Sequence, residues 1–222
     1  MKFVYPDIEN VFDTDIDKVN SLIIENQNLM VSLLEDVNNL LQGKDGISVL
    51  SENDKELQFD KFAELIFQYV PFSINTKSLI SKVSSAFEKN AMLDERYSQT
   101  MEMLGKIESY LFDLSQNFSG DFVFSKINIS SLIKSVGIEF NEDYNSLGEK
   151  LVDYFELVTE YDKRKLFITL NLRDFINDKE TELFIDTVLC HGYNLIMIDS
   201  HEHKLLKNEN RIIVDDSLCI IK

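Results

Sequence analysis

Tryptophan is absent from this 222-residue chain, and proline, cysteine and glycine are scarce, at two, two and seven residues. Two cysteines cannot build a disulfide framework. Cys190 near the end of an apolar helix and Cys219 in a final strand-like run predict reduced, buried thiols in a cytoplasmic protein. With no Gly/Ser-rich linker, the parts of the chain are expected to pack together rather than hang on tethers. No apolar run is long enough to cross a bilayer, and the N-terminal Met-Lys-Phe-Val-Tyr-Pro-Asp-Ile lacks the apolar core of a signal peptide. Positive charge is also in short supply. Against 39 Asp and Glu stand 22 Lys and Arg, a net charge of −17, which argues against a uniformly basic nucleic-acid binder. Nor is there a phosphate loop. The closest string, Gly43-Lys44-Asp45-Gly46, lacks the upstream glycine and the hydroxyl for Mg²⁺, and reads as a helix stop followed by a turn.

What is present is an α/β pattern, clearest in the last third. Leu166–Leu170 is a short continuous apolar run, as expected of a strand buried on both faces. Asn177 and Glu180 have capping-box spacing and open a helix with Leu183, Phe184, Val188 and Leu189 on one face, stopped at Gly192. Leu195–Ile198 is a second buried strand, so the unit predicts a right-handed parallel crossover. Ser146 and Glu149 open a preceding helix with Leu147, Leu151, Phe155 and Val158 inward. Upstream, apolar residues from Val19 to Leu40 predict one long helix, Ile16 to Leu41, capped by Thr14 and Asp17 and flanked by short strands at Lys2–Tyr5 and Ile47–Leu50.

The middle has another texture. Residues 76–90 and 94–118 read as an antiparallel pair of amphipathic helices, with Asp94 as a cap between them. Their apolar faces are Leu79, Ile80, Val83, Ala86 and Phe87, then Tyr97, Met101, Leu104, Ile107, Leu111 and Leu114. Counting Lys and Arg against Asp and Glu, residues 1–75 carry 5 and 14, residues 76–141 carry 7 and 8, and residues 142–222 carry 10 and 17, so the acid lies in the flanks. The expected organisation is an α/β head from residues 1–75 and 142–222, with a helical leg, 76–141, inserted.

Candidate sites are few. Asn171, Arg173 and Asp199 lie at strand ends, where an open α/β sheet takes its ligands, although helix capping or solvation also accounts for a lone acid there. His201-Glu202-His203, with His191, suggests a metal, since alternate residues on a strand share a face, but no third ligand has convincing spacing and two exposed histidines in a polar turn explain the string. There is no nucleophile elbow, and Cys190 beside His191 is adjacency only. Basic residues recur every seven positions at Lys82, Lys89 and Arg96. A second run is Lys163-Arg164-Lys165, and a looser one is Lys204, Lys207 and Arg211. Solvated surface is the default for all three groups. A phosphate-tracking surface is the sharper reading, and it requires an oligomer that brings several copies together.

Several strings carry a family resemblance: SSLIKSVGIEF (130–140), LVDYFELVTEYDKRKLFITLNLRDFINDKETELFIDTVL (151–189), GYNLIMID (192–199) and NRIIVDDSLCII (210–221). In this order they resemble the ring-forming spacer-acquisition family of type II-A CRISPR systems. The resemblance implies a P-loop-NTPase-like head with a mostly parallel sheet and no phosphate-binding loop, plus an α-helical leg. It implies a homotetrameric ring that admits double-stranded DNA by its ends without reading sequence. No enzyme activity and no nucleotide cofactor are implied, and the partners are the CRISPR integrase pair and the RNA-guided effector nuclease. Local basicity against the acidic background of the chain makes Lys82, Lys89, Lys163, Arg164 and Lys165 the candidate DNA contacts. Calcium is a family expectation, tied to a dense acidic loop after the second leg helix. Here Asn117–Lys126 holds only Asp121 as an acid, so Asp113 and Asp121 are the candidates left. The alternatives are a degenerate nucleotide-binding α/β enzyme using Asp199 and Arg173, and a protein-binding adaptor docking by its leg helices.

Overall fold

In the computed structural model, which describes residues 1–14 and 17–221, the last third forms as its local signals predict. Strands β1 (Lys2–Val4), β2 (Val11–Asp13) and β3 (Val19–Ile24) precede helix α1 (Gln27–Leu41). Strands β4 (Val49–Glu52) and β5 (Lys55–Leu57), the short helix α2 (Phe59–Phe62) and strand β6 (Ala63–Ile66) follow. Helices α3 (Lys77–Ala91), α4 (Asp94–Ser115), α5 (Ile129–Val136) and α6 (Leu147–Leu157) come next. Strand β7 (Leu166–Leu170), helix α7 (Asp178–His191) and strands β8 (Asn194–Asp199), β9 (Glu209–Val214) and β10 (Ile220–Ile221) complete the chain. The chain divides into two units, Met1–Phe72 with Glu142–Lys222, and Ser73–Asn141.

The first unit is α/β. Its main sheet has the order β10-β9-β3-β8-β7-β6, parallel throughout except for the antiparallel edge strand β10. A second, antiparallel sheet, β2-β1-β4-β5, is smaller. Strand alternation sorts the core into two faces. Leu22, Ile24, Leu166, Ile168, Ile196 and Ile198 join Leu33 and Val37 of α1 and Phe3, Phe12 and Leu50 of the small sheet in one cluster. Phe167 points the other way and stacks on Phe155 of α6 with ring centroids 3.9 Å apart, while Phe184 of α7 meets Phe155 edge-on. Helices therefore cover both faces of a mostly parallel sheet, the arrangement that hides its continuous apolar strands.

The caps explain the helix starts. Ser146 Oγ accepts from Glu149 N, and Glu149 answers by accepting from Asn145 N. Asn177 Oδ1 accepts from Glu180 N, but Glu180 reaches across to accept from Gly148 N, so the second box also fastens α7 to the start of α6. Gly192 ends α7 at φ 70°, in the left-handed region that costs glycine least.

The single helix expected over Ile16–Leu41 is strand β3 followed by α1. Ile16, at the expected start, lies outside the described residues. Every residue of β3 is buried between β8 and β9, and a new helix begins where Asn26 accepts from Leu29 N. Thr14 caps no helix, and its hydroxyl donates to Asn194 Oδ1. Val19, Leu22 and Ile23 stand at helical spacing across this six-residue segment, which can read as the first turns of a helix, and the sheet decides otherwise. Cys190 and Cys219, expected to be buried, are free and exposed. The buried stripe of α7 is Thr181, Phe184, Ile185 and Val188, which leaves Cys190 outside it and Leu183 68% exposed.

The second unit is three helices. Thr76 caps α3 and Asn128 caps α5, whereas Asp94 is the first residue of α4, whose cap position is Leu93. Asn75 takes the place of a strand neighbour, accepting from Phe140 N and donating to Phe140 O. The string 130–140 that carries part of the resemblance, which implies a short helix and a strand there, forms the end of α5 and no strand over residues 137–140. Of the expected inward faces, Leu79, Val83 and Leu104 are buried, whereas Phe87, Tyr97, Leu111 and Leu114 are exposed.

Candidate functional site

In a parallel α/β sheet the loops at the C-terminal strand ends hold ligands, and a phosphate site needs a loop between the first strand and its helix. Here that connection, from β3 to α1, is Glu25 and Asn26. Glu25 N donates to Val214 O, and Asn26 commits its side chain to Leu29 N and Asp216 O. Two residues with internally bonded groups make no cradle for phosphates. The Gly43–Gly46 string closes a turn onto α1 instead. Asp36 accepts from Ile47 N and Ser48 N, and a Cβ on Gly46 would stand 2.6 Å from Leu40 Cγ.

The strand-end residues singled out from sequence do gather at the ends of β7 and β8. Asn171, at φ 51°, ties the two ends together. Its backbone N–H donates to Ile198 O and its side-chain oxygen accepts from Ser200 N. Arg173, buried, is a clamp. Nη2 donates to Asp178 Oδ1 at 2.8 Å and to Lys204 O at 2.9 Å, and Nη1 faces the buried Glu209 at 3.5 Å. Glu209 is further held by Arg211 and by Leu206 N. Asp199, at the end of β8, is 1% exposed and its two oxygens find no hydrogen-bond partner among the described residues. Burial pushes its carboxyl up to about 6, against the pull of Arg173. An unpaired buried acid is costly, and it can hold a proton near neutral pH.

Beside this cluster the turn after β7 and the segment after β8 bring Asp174, His201 and His203 together. Asp174 Oδ1 lies 3.2 Å from His201 Nε2 and 3.8 Å from His203 Nε2, and the imidazoles stand 4.4 Å apart. Burial, then Arg173 and His201, lowers the pKa of His203. His191 is elsewhere, stacked on Tyr193. The sequence pattern misses Asp174, which lies far upstream of His201. The usable signal was the prediction of β7 and β8 as a crossover pair, which puts their C-terminal loops side by side.

The basic candidates separate by what they touch. Arg164 is bound into the fold, donating from Nη1 to Asp60 O and Ala63 O, with Nε 3.4 Å from Asp162. Lys165 pairs with Glu52 at 2.7 Å and lies over the Phe62 ring. Lys163, in the left-handed region at φ 63° after a short π-helical turn (Val158–Asp162), is exposed, its ammonium on Glu160 O. Arg211 is ion-paired with Glu202 and Glu209. In the other unit, Lys82 and Lys89 lie two turns apart on α3, half-buried and exposed respectively. Asp113 and Asp121 are both exposed, in the last turns of α4 and in the loop beyond. No group of three metal-ligating side chains forms around them among the described residues, and two carboxylates fall short of the six to eight oxygens that calcium takes.

No helix among the described residues is long and apolar enough to cross a membrane. No curated protein matches the chain. A family model described as CRISPR-associated protein (Cas_Csn2) matches residues 41–218.

Proposed function

The chain belongs to the CRISPR-associated protein (Cas_Csn2) family, and from that premise we propose a non-catalytic, sequence-independent binder of double-stranded DNA ends, working as a homotetrameric ring in the cytoplasm during spacer acquisition. The family carries a role in CRISPR adaptation. The ring, the DNA and the integrase and effector-nuclease partners are our reading.

The observation that carries it is the β3–α1 connection. A head of this architecture would put ATP chemistry there, and two residues with committed hydrogen bonds favour a scaffold over a degenerate nucleotide-binding enzyme. The helical unit supplies the second support. Met103, Tyr110 and Leu114 lie seven and four positions apart on α4 and are all exposed, an apolar stripe suited to meeting other copies. An acidic chain binds DNA only where local potential outweighs its total charge, and a ring repeats in every copy the basic groups Lys82 and Lys89 of the helical unit and Lys163 and Lys165 of the α/β unit. Arg164 serves the fold in this reading. The ring is proposed without calcium, because Asp113 and Asp121 alone do not make a site.

A low-salt gel shift on linear and covalently closed circular duplex tests this. Binding to linear DNA alone is the expected result, with affinity falling steeply with salt and indifferent to sequence. Replacing Lys82, Lys89, Lys163 and Lys165 by alanine, with Arg164 kept, should weaken binding and lower the salt slope by about 0.9 for each phosphate no longer neutralised. Equal binding to circles would reject the ring, no binding at any salt would favour the adaptor, and measurable ATP binding would revive the enzyme.

A further inference from the structure

We propose that Asp174, His201 and His203 form a binding site for one transition-metal dication of the zinc class, with its remaining coordination position left to water.

The donor set fixes the class of ion. Two imidazoles and one carboxylate suit Zn²⁺ and its first-row neighbours, whereas calcium and magnesium prefer oxygen throughout. Metal–ligand bonds of about 2.0–2.1 Å put tetrahedral donors roughly 3.3 Å apart. The distance from Asp174 Oδ1 to His201 Nε2 is already 3.2 Å, and that to His203 Nε2 is 3.8 Å. The donor atoms of all three residues lie within 4.8 Å of one another, the one such group among the described residues. Closing it asks only for small shifts of side chains, two of which are exposed.

The frame beneath is tied by hydrogen bonds. Asp174 ends the 3-10 turn Leu172–Asp174 after β7, and the histidines follow β8, its parallel neighbour. Two ties hold these loops together, one at Asn171 and one at Arg173, whose guanidinium binds Lys204 O directly beyond His203. Glu202, between the histidines, is drawn away to Arg211. Ser200 Oγ lies 3.3 Å from His201 Nδ1, the kind of outer contact that fixes a ligating ring. A bound ion would clip the two loops together.

The test uses the full chain stripped of metal, titrated calorimetrically with Zn²⁺ and then with Zn²⁺ in the presence of excess Ca²⁺ or Mg²⁺. One Zn²⁺ per chain, undisturbed by either competitor, is expected, together with a zinc-dependent rise in Tm. His201→Ala/His203→Ala should weaken binding by at least about 100-fold, beyond the loss typical of changes to residues that only orient a ligand, and should abolish the rise in Tm. Asp174→Asn should also bind more weakly. Cys190→Ser/His191→Ala, removing the other exposed pair of candidate ligands, should bind as the unaltered chain does. Should the double-histidine variant fold poorly, His201→Ala alone carries the same comparison. No zinc binding by the unaltered chain, unchanged affinity in the histidine variants, or loss confined to the Cys190/His191 variant would each overturn the proposal.

Discussion

In the α/β unit Phe3, Phe12, Leu22, Phe155, Phe167, Phe184, Ile196 and Ile198 are sealed from solvent, whereas the helical unit buries only Ile74, Leu79, Val83 and Leu104 among its described apolar side chains. The contrast is as strong on the outside. Of the 25 large apolar side chains exposed among the described residues, 14 lie between Phe87 and Val136. A sheet covered on both faces is saturated, and its residues have no further apolar surface to hide. Three helices with so few buried apolar anchors are not saturated, and soluble chains rarely leave so much apolar surface bare without a partner for it. The α/β unit therefore holds most of the buried core, and the helical unit carries most of the exposed apolar surface.

The largest expected effect attacks the better-buried unit. Arg173→Ala removes the guanidinium that joins Asp178, Glu209 and Lys204 O, leaving part of a buried ion pair behind. It should cost about 3 kcal/mol by urea unfolding, at the low end for such pairs because Arg211 and Leu206 N remain on Glu209. A cost near zero would mean that the clamp is not part of what holds the sheet ends.

A smaller effect, of opposite sign, comes from Asp199. Below pH about 4 its carboxyl is largely protonated in both folded and unfolded chains. Above its raised folded value of about 6 both are ionised, and the folded state then bears the full cost of the buried charge. The unaltered protein should lose stability as pH rises from about 4 through 6. Asp199→Asn escapes that loss and should gain about 2–3 kcal/mol at pH 7 and nothing at pH about 4. Parallel pH profiles for the two proteins would show that burial does not penalise Asp199.

The smallest effect on stability sharpens the contrast from the other side. Met103→Glu with Tyr110→Glu alters two exposed positions of α4, so unfolding should move by less than about 0.5 kcal/mol for each. Analytical ultracentrifugation should nonetheless show loss of self-association. Unchanged assembly would move the copy–copy contact off this face.

What could be read from the sequence was local. Strand β7, helix α7 and strand β8 carry their own start and stop signals: a cap at Asn177 that bonds three residues ahead, a glycine that accepts φ 70° at Gly192, and short apolar runs on either side. The helices α3 and α4 were legible from their spacing, but which of their apolar residues are buried was not, because amphipathic spacing says where a face lies and not whether anything covers it. Strand β3 was illegible for a related reason. Its apolar residues continue at helical spacing into α1, and only β8 and β9 on either side make it a strand. The site shows the same division. The histidines at 201 and 203 were visible as a pair, while Asp174 joins them through the β7–β8 crossover, and Arg164 looked like a basic surface residue until its guanidinium proved bound to Asp60 O and Ala63 O. The sequence by itself determined the elements whose signals lie within one helical turn or one strand. The tertiary structure alone decided strand β3 at the middle of the sheet, the Arg173 clamp, the gathering of Asp174 with the two histidines and the bare helical faces, because each depends on groups brought together from distant parts of the chain.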